Sequence, residues 1–341
     1  MTKARDLADY TGLQGDLAGL QTNITAGDTA ARAGRKNLII NGGFDVWQRG
    51  TSLTAASSYL ADRWANGTSE AQSRQAFTVG QTEVDGNPTY YHRSGGGGSA
   101  YYGLDHKIEN VGTLSGKEVT LSYWMKGSSA FTNAPYRGQN FGSGGSSGVE
   151  AALSTSSITT SWARYTHTFT FPSISGKTVG ASSFSQLNVF RANIANIVVD
   201  IANVQLELGS VATDFEHRSY GEELHLCQRY YEIIADGGRA NDSPFFGVGQ
   251  GAKHDQINWY YDFKAEKRAT FTLIVPTVTN GYSAKTHSTT INGNSLGFTS
   301  VHQSLHSIRG YLTNISGVTE HSCWAMQLNG ATAHIAVSAE L

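Results

Sequence analysis

Val119-Thr-Leu-Ser-Tyr-Trp-Met125 decides the fold class. Apolar and polar residues alternate along it with period 2, so one face is buried and the other solvated, as in a half-buried β-strand. Trp162-Ala-Arg-Tyr-Thr-His-Thr-Phe-Thr-Phe171 repeats the pattern. Leu187-Asn-Val-Phe190 and Ile197-Val-Val-Asp-Ile-Ala-Asn-Val-Gln-Leu-Glu-Leu208 are further strand segments. Gly-rich turn signals separate them at Asp85-Gly-Asn-Pro88, Gly95–Ser99, Ser115-Gly116 and Gly142–Gly148. Many short strands, Gly-built turns and little helix signal predict an all-β sandwich or jelly roll over residues 37–218.

On the C-terminal side, Leu224, Cys227, Tyr231 and Ile234 are spaced 3, 4 and 3. That suits one short helix or a helical turn feeding a strand from Tyr230 to Ile234. The β-type runs Ile257–Phe263, Ala269–Val275, Gly297–Val301, Trp324–Leu328 and Ala333–Val337 follow. Residues 219–341 therefore read as a second, smaller β-sandwich.

On the N-terminal side, Tyr10, Leu13, Leu17, Leu20 and Ile24 are spaced 3, 4, 3 and 4, an a/d seam at heptad spacing. Gly12, Gly15 and Gly19 each cost about 1 kcal/mol relative to Ala. So short and Gly-rich a helix needs self-association or a docking partner. Residues 1–36 are read as an oligomerising helix and linker.

The 341 residues carry 25 Lys and Arg against 27 Asp and Glu, a net charge of −2. Charged residues make up 15%, against about 25% in ordinary soluble domains. Nothing here suits counterion-driven nucleic-acid binding. No apolar run approaches the roughly 20 residues that span a bilayer. Met1–Gly15 lacks the apolar core of a signal peptide, so synthesis in a cytoplasm is the expectation. Cys227 and Cys323 alone imply no disulfide framework.

Three stretches carry a resemblance. Asn37-Leu-Ile-Ile-Asn-Gly-Gly-Phe-Asp-Val-Trp-Gln-Arg-Gly50 resembles the opening of tail-fibre proteins of tailed bacteriophages. Val204–Arg218 resembles the close of the same domain, and Glu222–Tyr231 the junction after it. Val337–Leu341 looks like the usual end of the distal domain. The resemblance implies a jelly roll like those of carbohydrate-binding modules, then a host-facing C-terminal β-domain. It also implies a homotrimer joined through its N-terminus to other tail or baseplate proteins. The function it implies is attachment to the host surface as a virion component, through a glycan or outer-membrane receptor. The alternatives are a glycan-degrading tail enzyme and a tail-tip or baseplate protein without a receptor role.

Jelly rolls of the carbohydrate-binding type often hold a structural Ca²⁺ between an acid near the first strand and one on the last. Asp45 and Asp200 are the matching positions, with ordinary side-chain hydrogen bonds as the other reading. Asp62-Arg63-Trp64 sets a cation beside an indole, where stacking adds stability.

Catalytic signatures are missing: there is no His-Glu-x-x-His, Walker loop or Cys-x-x-Cys. Gly144-Gly-Ser-Ser-Gly148 matches the nucleophile-elbow pattern, but in Ser/Gly-rich sequence between β-type runs. The expectation is a chain without catalysis or cofactor. Receptor contact is assigned to Trp259-Tyr260-Tyr261, because strict alternation buries at most one face of that run. His254, Asp255 and Tyr282 are its expected polar neighbours, with Asn241-Asp242 and Asn280-Gly281 in nearby loops. Trp124, Trp162, Phe169 and Phe171 are expected in or near the core.

Overall fold

A computed structural model describes residues 36–54, 59–67, 71–95, 102–192, 196–236, 245–275, 282–286, 290–293, 295–297, 304–313, 317–328 and 334–341. Tyr10, Leu13, Leu17, Leu20 and Ile24 lie outside the described residues, as do Asn241, Asp242, Asn280 and Gly281. The described chain is nearly all β, with one helix.

The contacts divide the chain into two compact units. Among the described residues, the first holds 36–45, 51–54 and 64–217. The second holds Val46–Gly50, Tyr59–Arg63 and Arg218–Leu341.

The strands of the first unit are β1 (Ser52–Thr54), β2 (Trp64–Asn66), β3 (Ala71–Ala76), β4 (Tyr90–Gly95), β5 (Tyr102–Glu109), β6 (Glu118–Gly127), β7 (Phe131–Asn133), β8 (Tyr136–Asn140), β9 (Val149–Ala152), β10 (Ser156–Ile158), β11 (Ala163–Thr170), β12 (Phe184–Ala192) and β13 (Val198–Leu208). Six form one sheet in the order β1-β3-β4-β13-β6-β11, and five form another in the order β2-β5-β12-β8-β9. The chain passes between sheets at β5 to β6 and again through β11, β12 and β13, which gives the jelly-roll sandwich. The pleat of β6 puts Val119, Leu121, Tyr123 and Met125 fully inside. From the other sheet, Leu104, Leu187 and Val189 are equally buried. One polar knot sits among them: the Tyr123 hydroxyl meets His167 Nε2 at 3.0 Å and accepts from Asn133 Nδ2 at 3.0 Å.

The Asn37 opening earns its place by pairing with β13. Leu38 N–H donates to the Leu206 carbonyl (2.9 Å), and Val204 N–H to the Gly42 carbonyl (2.9 Å). Asn37 Oδ1 accepts from Leu206 N–H at 3.1 Å. A Cβ on Gly42 would lie 2.1 Å from the Val204 carbonyl oxygen, so the close approach requires glycine. Phe171 and Trp162 are buried as expected. Trp124 and Phe169 are only half-buried, Trp124 because it stands on the outer side of the pleat.

In the second unit, helix α1 (Tyr220–Gln228) starts at Ser219, whose hydroxyl accepts from Glu222 N–H at 3.3 Å. β14 (Tyr231–Asp236) follows directly, so of the two expected arrangements the structure has the helix feeding a strand. The remaining strands are β15 (Phe245–Lys253), β16 (Gln256–Asp262), β17 (Thr272–Ile274), β18 (Tyr282–Lys285), β19 (Thr290–Gly293), β20 (Ser295–Gly297), β21 (Ser307–Thr313), β22 (Cys323–Leu328) and β23 (His334–Ser338). They form a three-stranded sheet β14-β23-β17 and a seven-stranded sheet β19-β18-β22-β15-β16-β21-β20. Ile257, Trp259, Leu312, Met326, Ile335 and Val337 form its core.

Val46–Gly50 and Tyr59–Arg63 fall inside the middle domain drawn from sequence, yet they pack with the second unit. Their side chains explain this. Arg49 pairs with Asp62 (2.6 Å) and Glu340 (2.9 Å), and lies 3.7 Å over the Tyr231 ring. Arg63 pairs with Glu340 and stacks 3.5 Å over Tyr230. The expected Arg63–Trp64 pairing is therefore corrected. Arg63 has a left-handed backbone (φ 72°), and Trp64 turns away to pack on Phe44 (5.1 Å) and His106 (4.9 Å) in the first unit. Burial is the largest influence and opposes the Arg63 charge, but Glu340, Tyr230, Tyr59 and Cys227 together outweigh it and hold the guanidinium above its ordinary value.

Candidate functional site

Cross-strand register on the five-stranded sheet builds an open face from residues far apart in sequence. One row runs Ala65, Asp105, Asn188, Tyr136 and Ala152 across β2, β5, β12, β8 and β9. The next runs Lys107, Gln186, Gly138 and Glu150. Their neighbours Leu104, His106, Ser185 and Leu187 point into the core, so the pleat sends these rows outward. Asn188 Nδ2 donates to Asp105 Oδ1 at 2.6 Å. Asn188 Oδ1 has no hydrogen-bond partner. Burial pushes the Asp105 carboxyl above the usual range, although Asn188 and Gln186 donate to it. Tyr136 presents its ring beside Arg191, whose guanidinium lies 4.9 Å from the centroid. Where the second row reaches Gly138 the missing side chain leaves a depression of about 280 Å³, lined by Gly138, Gln139, Asn140, Gly148, Glu150 and Gln186. An amide pair, two carboxylates, an ammonium and an aromatic ring on one sheet face can match the hydroxyls and apolar patches of a sugar chain.

The receptor residues assigned from sequence do not form one cluster. Trp259 is fully buried in the core of the second unit, which corrects its assignment as a contact residue. It alternates with Tyr260, and the seven-stranded sheet packs the Ile257 and Trp259 side inward. Tyr261 is half-buried, and its hydroxyl donates to Glu232 Oε1 at 2.9 Å. Glu232 in turn is ion-paired with buried Lys267 at 2.5 Å. Burial and the Glu232 charge together raise the Tyr261 hydroxyl above its ordinary value. His254 and Asp255 form the exposed turn of the β15–β16 hairpin, while Tyr260 stands five residues along β16, about 16 Å away at strand spacing. Tyr282 lies on β18, separated from β16 by β22 and β15.

Tyr260 does stand out, 59% exposed, with Val248 at 67%. Arg309 lies between two rings, 5.4 Å from the Tyr260 centroid and 5.2 Å from that of Tyr311. Sequence reading missed Arg309 and Tyr311, which join Tyr260 only through the β16–β21 register.

Of the two acids expected to share a cation, Asp200 is already bonded by cationic side chains. Both Asp200 oxygens accept from Arg93, at 2.7 and 2.8 Å, and Lys126 stands 3.9 Å away. The acid in the apolar strand is thus neutralised by neighbouring strands. Asp45 is half-buried, and burial raises its carboxyl. Among the described residues, no three His, Cys, Asp or Glu side chains are grouped to hold a metal. The Gly144–Gly148 elbow pattern falls in the connection between strands β8 and β9, with no helix after it.

No family profile matches the chain, and no curated protein does. Solved structures give remote likenesses. A CBM22-1 xylan-binding domain from Paenibacillus barcinonensis is 11% identical, covering 48% of this chain and 94% of its own, with TM-score 0.32. A protein from Bacteroides thetaiotaomicron, described as sugar binding, is 12% identical over 51% of this chain and all of its own, with TM-score 0.34. The CBM22-1 and GH10 modules of a Clostridium thermocellum xylanase are 14% identical over 43% of this chain. The match spans only 26% of that xylanase chain, with TM-score 0.32. Likenesses this distant carry no information on ligand or activity.

Proposed function

We propose that this chain is a non-catalytic adhesion subunit that binds glycan through the open face of its five-stranded sheet. The observation that carries the reading is the pair of outward rows centred on Asp105, Asn188, Tyr136 and Gln186. An open sheet face accommodates an extended sugar chain, with Tyr136 for stacking and the Asn188–Asp105 pair for hydroxyls. The attribution to a tailed-phage fibre rests on the sequence motifs from Asn37 to Gly50 and Val204 to Arg218. In that setting residues 1–36 join a homotrimer to the tail, and exposed Tyr260 with half-buried Arg309 and Tyr311 in the second unit is a second surface for the host.

Retention of the full chain on a panel of immobilised bacterial polysaccharides tests the binding. The expected result is retention on at least one polymer, lost in Tyr136→Ala with Asn188→Ala, without new reducing ends in the eluate. Retention that is unchanged in that double variant overturns the site. Release of reducing ends overturns the non-catalytic reading in favour of a glycan-degrading enzyme. Deleting residues 1–36 is expected to convert trimer to monomer by sedimentation; a full-length chain that sediments as a monomer refutes the trimer.

A further inference from the structure

The longest strand of the first unit is broken at one point. The register of β13 against β6 jumps between Ala202 and Gln205. Asn203, inside the jump, has φ of 47°, a left-handed conformation that is unfavourable for a residue with a side chain. A bulge re-aims the side chain it carries. Here Asn203 is 2% exposed and lines a pocket of about 360 Å³ on the outer side of the six-stranded sheet.

Two buried polar residues, Asn203 and Ser122, belong to this pocket, with the half-buried Trp124 beside them. Trp124 packs against the buried cluster of Val84, Trp162 and Ala202. Phe215 and His217 supply further rings, packed edge to face at 5.0 Å. A Cβ on Gly86 would lie 2.4 Å from His217 Nε2, so the glycine, at φ 78°, lets the imidazole sit close. Arg164 is committed to bracing: its guanidinium donates to the Thr213 carbonyl and to Ser122 Oγ.

The hydrogen bonding of the lining is uneven. Asn203 Nδ2 donates to the Asp85 carbonyl at 2.9 Å, which sets the amide orientation. Asn203 Oδ1 is then left without a partner. A buried acceptor left unpaired is costly, and an incoming donor would recover that loss. The exposed carboxylates of Asp85 and Asp214 add acceptors at the rim. With one guanidinium against two carboxylates, the lining disfavours an anion.

We infer that this pocket binds a single polyhydroxylated ring lacking a carboxylate, the terminal residue of a neutral glycan. Its hydroxyls donate to Asn203 Oδ1 and the two carboxylates, and its apolar face lies on Trp124 or Phe215. This rests on the glycan reading above, but uses a different face of the sandwich and a different part of the ligand.

Saturation-transfer NMR on the full chain with methyl glycosides of glucose, galactose and mannose, and with galacturonate, tests it. At least one neutral glycoside is expected to bind and galacturonate is not. Asn203→Gly keeps the left-handed backbone and removes the amide, so binding is expected to fall at least tenfold. His217→Ala, at an exposed position, is expected to weaken it several-fold with folding intact. Absence of any neutral binder, binding of galacturonate to the same extent, or unchanged binding in Asn203→Gly overturns the inference. Polysaccharide retention measured in parallel separates the two readings. If retention persists without glycoside binding, only the pocket is refuted; if both are absent, both readings are.

Discussion

Asn203 Nδ2 donates to the Asp85 carbonyl at 2.9 Å, and this bond ties the bulge of β13 to the turn at Asp85-Gly86. Both ends use left-handed backbone, Asn203 at 47° and Gly86 at 78°. Gly86 reaches that conformation without cost, so the bond lets a glycine turn hold the costlier left-handed Asn203 in place.

Glycines at the two ends of this region should respond differently to alanine. Gly86→Ala meets the tip of an exposed histidine, which can swing away. It should cost about 1 kcal/mol, mainly from its positive φ. Gly42→Ala meets the Val204 backbone carbonyl at 2.1 Å, which cannot move without breaking the pairing of the Asn37 opening with β13. It should cost about 3 kcal/mol or more. Urea unfolding of the two variants checks the order; equal losses would contradict the geometry.

Glu340 neutralises two arginines and has a side chain only 8% exposed. Glu340→Ala leaves Arg63 buried without its carboxylate, which should cost about 3–5 kcal/mol. Hydrogen exchange should accelerate in β14 and β23 and stay unchanged in β6 and β13. Acceleration in both units would show that the network is not local to the second.

His92 lies fully buried against Phe44, with Nε2 3.0 Å from Gln72 Oε1. Burial pushes its pKa down to about 3. The unfolded chain, near 6.5, takes up the proton first, so the stability contributed by neutral His92 is complete above about pH 6.5 and is lost as pH falls toward 3. The ceiling is roughly 4–5 kcal/mol, since each tenfold change in proton affinity is worth about 1.4 kcal/mol. Urea midpoints of wild type and His92→Phe at pH 7 and pH 4 should show a smaller acid loss in the variant. Identical losses would exclude His92 as the source.

Gly138 offers a way to block the open face without harming the fold. A Cβ there finds its nearest atoms, Glu150 Cγ and Gln186 Cβ, at 3.5 and 3.6 Å, ordinary contact distances. Gly138→Leu should fill the depression, change stability by less than about 1 kcal/mol, and abolish polysaccharide retention. Retention at the wild-type level would place the binding face elsewhere.

Trp259 and Tyr260 are neighbours with opposite roles. Trp259→Ala should cost about 3–5 kcal/mol as a core deletion. Tyr260→Ala should cost under about 0.5 kcal/mol and reduce adsorption to host cells. Full adsorption by Tyr260→Ala would remove the second unit's surface from the adhesion reading.

How much was legible beforehand follows from what is local. The alternation in Val119–Met125 is a property of the pleat, so the sequence alone determined an all-β chain and the inward side of β6. The same pleat guaranteed that Trp259 and Tyr260 face opposite ways. It could not say which side a second layer covers, and the choice of Trp259 as a contact residue failed there. Asp105 and Asn188 are 83 residues apart, and Arg63 and Glu340 are 277 apart. What brings such residues together is strand register and chain reversal, which leave no periodic trace near either residue. The glycan face, the arginine–glutamate network and the Asn203 bulge were therefore decided only by the tertiary structure, because each depends on which backbone lies alongside which.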